Sequence, residues 1–98
     1  MSYKTIFRER ATKEYVEAIR WYEERSLQAA DNFVLTVSQT LNEIENKPVH
    51  FRLIYKNYHE AKTKKYPYNI VYFIDNKSHT IIITTLFHQK RNPKSKFK

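Results

Sequence analysis

The side chains best suited to chemistry lie in the C-terminal half of this 98-residue chain: His50, His59, His79 and His88, with Lys62, Lys64, Lys90 and Arg91. Acids are scarce there, Glu60 and Asp75 being the only two, so paired carboxylates for acid–base work are missing. A zinc site needs three or four nitrogen or sulfur ligands at workable spacing. With no cysteine and no HExxH run, no metal site and no cofactor is expected. Glycine is absent, which removes the glycine-rich phosphate loops, and no serine sits in a nucleophile-elbow context. Cleavage of RNA by its own 2′-hydroxyl asks for less: a base, cations on the phosphate and a donor for the leaving oxygen. His88, Lys62, Lys64, Arg91 and Tyr66 supply those types, and under that chemistry His88, Arg91 and Lys64 are the catalytic candidates. The plainer reading, in which His88 only finishes a strand and the lysines are a solvated face, stays open at this point.

The same residues suit binding without catalysis. Lys62, Lys64, Lys90, Arg91, Lys94 and Lys96, with Tyr66 and His88, combine phosphate contacts with rings for stacking, and form the candidate target- or nucleic-acid-binding set. Lys and Arg number 18 against 10 Asp and Glu, giving net +8 and a pI near 9.7. Residues 1–46 are nearly balanced, so the whole surplus lies from Lys47 onward. A one-sided surplus points to a surface for a polyanion rather than to solubility alone.

The elements that must position these residues centre on residues 64–88, KKYPYNIVYFIDNKSHTIIITTLFH. Two β-branched and aromatic runs, Tyr68–Asp75 and Thr80–His88, flank the polar loop 76–79 and read as one hairpin in the middle of a small sheet. Pairing Asp75 with Thr80 puts Tyr68, Ile70, Tyr72, Ile74, Ile81, Ile83, Thr85 and Phe87 on a greasy face that should meet helices. Asn69, Val71, Phe73, Asp75, Thr80, Ile82, Thr84, Leu86 and His88 then make a mixed face, partly open. A single bulge would exchange part of the two sets.

Residues 3–7 are rich in β-formers and predict a short first strand. From Thr12, taken as N-cap, apolar residues recur at Tyr15, Ala18, Ile19 and Tyr22, with Val16 and Trp21 widening the stripe, in a helix ending near Arg25. Ser26 caps a second helix through Ala30, Phe33, Val34, Val37, Leu41 and Ile44, which Pro48 prevents from continuing. A two-residue connection makes the helices an antiparallel hairpin whose seam packs on the greasy sheet face, with their aromatic residues as core. Residues 49–57 predict a loop with a short extended piece, and residues 58–65 a strand joined to the next by a turn at Tyr66-Pro67. The basic tail, residues 92–98, is expected to be mobile.

Length and composition fit one domain, residues 1–98, with one modest core: 41% hydrophobic and 15% aromatic is too apolar for a disordered chain. The absence of cysteine and of a long apolar N-terminal segment leads us to expect a cytoplasmic protein without a signal peptide or membrane span.

Taken together, several stretches resemble the RelE/ParE superfamily of bacterial type II toxin–antitoxin toxins, over nearly the whole length. The resemblance rests on Ala18-Ile19-Arg20-Trp21-Tyr22; on Ala30, Phe33, Leu41, Ile44 and Pro48; on Tyr66-Pro67-Tyr68-Asn69-Ile70-Val71-Tyr72, similar to an FPYxIxY run; and on His88-Gln89-Lys90-Arg91-Asn92-Pro93, similar to an HxxRxP ending. The last two lean to the ParE-like branch. The resemblance implies an α+β fold, β-α-α-β-β-β, with a helical hairpin on a twisted antiparallel sheet. It also implies a toxin held in a hetero-oligomer by a cognate antitoxin whose C-terminal segment wraps it. ParE-like members inhibit DNA gyrase without established catalytic residues, whereas RelE-like members cut messenger RNA on the ribosome. His59-Glu60 stands about where relatives carry arginine before the central strands, which puts any carry-over of phosphate-binding arginines in doubt.

Overall fold

The two β-branched runs are inner strands of a five-stranded sheet in the computed structural model, which describes residues 3–90. In chain order the elements are β1 (Lys4–Phe7), α1 (Glu9–Glu23), α2 (Leu27–Asn46), a 3₁₀ turn (Pro48–His50), β2 (Arg52–Tyr55), β3 (Tyr58–Lys62), β4 (Tyr68–Asp75) and β5 (Thr80–His88). Across the sheet they run β1-β5-β4-β3-β2. β1 lies parallel to β5, and every other pairing is antiparallel. The helical hairpin covers one face, giving the expected α+β architecture with one strand more than the sequence pattern predicted. That strand is β2, inside the segment read as a loop. It is only four residues long, and its burial pattern lacks the alternation that marks a half-buried strand. Among the described residues no helix is long and apolar enough to cross a membrane.

Ser26 caps α2 as expected, its hydroxyl accepting from the Ala29 amide at 3.3 Å. α1 starts earlier than the pattern suggested, with Arg8 rather than Thr12 as N-cap. The Arg8 amide donates to the Ile83 carbonyl at 2.9 Å and the Arg8 carbonyl accepts from Thr12, so the helix is launched from the strand ladder, without a side-chain cap. The register begins as predicted, Asp75 opposite Thr80. The Asp75 carboxylate accepts from the Lys77 and Ser78 amides and closes the turn.

The core joins Phe33, Val37 and Ile44 of α2 and Ala11 and Ala18 of α1 to Ala61, Tyr68, Ile70, Tyr72, Ile81, Ile83 and Leu86 of the sheet. Tyr15, Ile19, Tyr22 and Leu41 pack on it half-buried. Two expectations change. Leu86, not Phe87, joins the helix-facing cluster, and Val16 and Trp21, taken as part of the buried stripe, are 39% and 37% exposed. Trp21 instead carries the Arg25 guanidinium 3.4 Å over its ring, a cation–π contact that needs an open face.

Tyr72 is the largest fully buried side chain. Its hydroxyl donates to the Pro48 carbonyl at 2.5 Å and its ring stacks on His59 at 5.3 Å, tying the centre of the sheet to the end of α2. His59 is itself held by its Nδ1–H donating to the Phe51 carbonyl at 2.9 Å. Burial pushes the Tyr72 phenol well above the ordinary tyrosine value. The folded state therefore keeps a proton that the unfolded chain releases above about pH 10, so stability must fall as pH rises past that point. Urea titrations should find Tyr72→Ala destabilised by about 3–5 kcal/mol, by the usual large-to-small cost. Tyr72→Phe should lose about 1–3 kcal/mol for the orphaned Pro48 carbonyl and also flatten the alkaline loss.

Candidate functional site

β5 outruns its neighbour. β1 pairs with it only from Thr80 to Ile83, leaving the rest of that edge of β5 without a strand partner. At this point the ladder slips: Val71 faces Thr85 but Tyr72 faces Ile83, so Thr84 is an extra residue on β5. The Thr84 hydroxyl donates to the Val71 carbonyl at 3.2 Å. α1 fills the place beside the vacated edge with the carboxylate of Glu14. Its Oε1 accepts from the Leu86 amide at 3.1 Å and from the Thr85 hydroxyl at 2.6 Å. A carboxylate here answers a backbone N–H that would otherwise lack a strand partner.

The bulge re-sorts the end of the strand. Beyond Thr84, Leu86 and His88 turn toward the helices, opposite Ile70 and Tyr68, while Thr85 and Phe87 turn to the far face, opposite Val71 and Asn69. The sequence pattern had these four the other way round. The centre of the far face is also less open than its mixed composition suggested, with Glu60, Asn69, Val71 and Thr85 all buried.

His88 therefore lies in a cleft of about 270 Å³ between α1 and the end of the hairpin, lined also by Glu14, Glu17, Ala18, Trp21, Tyr68, Leu86 and Phe87. Its ring meets Tyr68 edge-on at 5.2 Å, and its Nδ1 accepts from the Lys90 amide at 3.1 Å. In the neutral ring that leaves the proton on Nε2. Glu14, Glu17 and Trp21 were not among the site residues expected from the sequence, Trp21 having been read as part of the apolar stripe. Glu14 was legible in principle: it falls between Ala11 and Ala18 at helical spacing, a charged residue inside the buried stripe.

The other candidates gather at the same end of the sheet but not on the same face. Lys62 pairs with Asn69, which pairs with Phe87, so Lys62 belongs to the face opposite His88. Lys64 is exposed in the connection between β3 and β4, next to Lys65, whose φ is +70°. Gln89 fastens the exit of β5 to that connection, its amide donating to the Pro67 carbonyl at 2.8 Å and its Nε2 to Asn69 Oδ1 at 2.9 Å. This brings Lys90 to the end that already holds Lys62, Lys64 and Lys65. Tyr66 is not a free stacking ring; it packs edge-on against Tyr22 and Phe33, both at 5.3 Å. Arg91, Lys94, Lys96 and the tail 92–98 lie outside the described residues.

A helical hairpin on one face of a five-stranded mixed sheet, with lysines at one end, defines a small α+β fold. The family model described as the ParE toxin of the type II toxin–antitoxin system parDE matches residues 5–93, and the chain belongs to that family. Among solved structures, the chain is similar to one from the chromosomal ParDE toxin–antitoxin system of P. aeruginosa, with TM-score 0.70, 9% identity and coverage of 89% of this chain and 96% of that one. It is also similar to one from the intact E. coli RelBE toxin–antitoxin complex, with TM-score 0.64, 19% identity and coverage of 92% and 100%. A third similar structure, from the RelBE2 complex of Mycobacterium tuberculosis, has TM-score 0.60, 15% identity and coverage of 90% and 92%. Curated protein sequences give no significant match.

If Glu14 holds the bulge, Glu14→Ala should speed hydrogen exchange at the Leu86 amide and cost about 1–3 kcal/mol, the penalty for an orphaned donor. Glu14→Gln, which keeps an acceptor oxygen, should lose less on both counts.

Proposed function

We propose that this chain arrests growth by binding DNA gyrase, with no bond made or broken by the toxin, and that a cognate antitoxin neutralises it. The observation that carries the reading is the ParE-type match, which runs through residue 93 and so includes the run from His88 to Pro93. The surroundings of His88 support it. The cleft around this imidazole is lined by Glu14, which is paired with Arg10 at 3.4 Å, and by Glu17, while Lys62 belongs to the other face of the sheet. Phosphate cleavage asks for cations where negative charge develops, and Lys62 does not share the face of His88. The lysine end formed by Lys62, Lys64, Lys65 and Lys90 suits contact with an acidic protein surface or with a nucleic acid bound by the target.

The similar structures from RelBE and ParDE systems include toxin–antitoxin complexes, which supports an antitoxin partner and a hetero-oligomer for this chain as well. The competing target is the ribosome with its messenger RNA, where His88, Lys64 and Arg91 would share proton transfer and phosphate stabilisation. Gyrase and ribosome are both cytoplasmic, and so is the location proposed for the toxin.

The two targets predict opposite outcomes for one substitution. With gyrase as target, His88→Ala should leave toxicity nearly unchanged, and deletion of residues 92–98 should weaken it more. With the ribosome as target, His88→Ala should abolish toxicity in a folded protein, because losing a general acid or base lowers a rate by ~10²–10⁴. Purified toxin should inhibit gyrase supercoiling without ribosomes. Codon-positioned cuts in messenger RNA that appear only when ribosomes are present would overturn the proposal.

A further inference from the structure

The sheet face that the helices do not cover is nonetheless closed at its centre. Glu60 of β3, Asn69 and Val71 of β4, and Thr85 and Phe87 of β5 share that face, opposite the helix-facing cluster. All five are buried, Val71 at 0% exposure and Glu60 at 7%. Among the described residues, Arg8 and Glu14 reach this face from outside the sheet. The Arg8 guanidinium lies 5.4 Å from the Phe73 ring centre, and Glu14 accepts from the Thr85 hydroxyl. Both enter from the β1–α1 side, whereas β3 lies two strands further in from β5. A carboxylate taken out of water is costly unless a cation meets it. Arg52 stands directly opposite Glu60 on β2, but it is itself exposed, at the rim of the face.

The chain leaves β5 beside this same face. Gln89 donates its Nε2 to Asn69 Oδ1 at 2.9 Å, which places its side chain on the Glu60 side of the sheet. From Asn69 to Glu60 is one strand across and two residues along, about 8 Å. Two residues of extended chain span up to about 7 Å, so Arg91, with its long side chain, can reach Glu60 from Gln89. Residues 91–98 hold Arg91, Lys94, Lys96 and Lys98 and no acid. Lys62, Lys64 and Lys65 at the β3–β4 connection repel such a segment, and the carboxylate at the centre of the face attracts it.

From this burial and this exit we propose that Arg91 folds back over the sheet and pairs with Glu60, the backbone that carries it covering Asn69 and Val71. The group that takes the Glu60 carboxylate out of water is then the one that neutralises it. A guanidinium suits the task, because its planar fork can give a carboxylate two parallel N–H donors. Arg91 becomes a positioning residue: it fixes where the basic segment beyond it leaves the body of the toxin. The pairing belongs to the free chain, so its test is independent of which target the toxin arrests.

The test is made on the full-length chain by NMR and urea unfolding. Nuclear Overhauser contacts should join the Arg91 side chain to the Val71 methyl groups. Arg91→Gln and Glu60→Gln should each abolish those contacts while the far-UV spectrum matches the parent, and Arg91→Lys should keep them in part. Arg52→Gln should leave them intact. Glu60→Gln should lower the urea midpoint of the parent but shift it no further in the Arg91→Gln background, the signature of a direct pair. Absence of the contacts in the parent, their survival in either glutamine variant, their loss in Arg52→Gln, or additive shifts of the midpoint would each overturn the proposal.

Discussion

The Glu14 carboxylate on the bare edge of β5 is the contact that most of the functional geometry depends on. β1 ends after four residues because the chain must leave the sheet to begin α1, and it leaves by donating the Arg8 amide to Ile83. β5 runs on to His88, and its last turn of ladder has no strand on that side. A partly buried backbone N–H without a partner costs about 1–3 kcal/mol, and the single carboxylate that reaches over from α1 answers both the Leu86 amide and the Thr85 hydroxyl. The bulge at Thr84 is the backbone adjustment that accompanies this contact. One extra residue then decides which side chains the rest of β5 shows to the helices.

That decision separates two kinds of surface at one end of the molecule. On the helix side, His88 shares a cleft with two carboxylates and an exposed tryptophan. At the β3–β4 connection stand Lys62, Lys64 and Lys65, and Gln89 brings Lys90 to the same end. Had the ladder continued without a bulge, His88 would share a face with Lys62, the arrangement that acid–base cleavage of a phosphodiester would use. The histidine is instead engaged locally, by the Lys90 amide and the Tyr68 ring. For such a site, binding through the lysine end asks less of the structure than catalysis through the cleft.

How far the sequence foretold this follows the range of the interactions involved. The Ser26 cap, the stop at Pro48 and the Asp75–Thr80 start of the register are local, decided within a few residues, and all were legible. The Arg8 cap of α1 was not, because its partner is a carbonyl 75 residues away, in Ile83, and no side-chain signature marks it. The fate of Leu86 and His88 was illegible for the same reason: the bulge answers to Glu14, 72 residues from Leu86. Trp21 misled by its type, since a helical tryptophan next to an apolar stripe reads as core until the Arg25 guanidinium is found over its ring. β2 misled by its polarity. An edge strand that buries little has no alternation to detect.

A chain without glycine must make its tight turns from residues that resist them. Lys56, Lys65 and His79 have φ of +49°, +70° and +57°, the left-handed region that costs a residue with a Cβ roughly 1 kcal/mol or more. His79 recovers part of this by stacking on Tyr3 at 3.8 Å, within the β4–β5 turn. Lys56 and Lys65 stand elsewhere, one at the β2–β3 turn, the other in the lysine-rich β3–β4 connection. In both places a glycine would relieve the backbone but remove a cation. Each lysine therefore keeps its charge at a turn where the backbone carries a conformational cost.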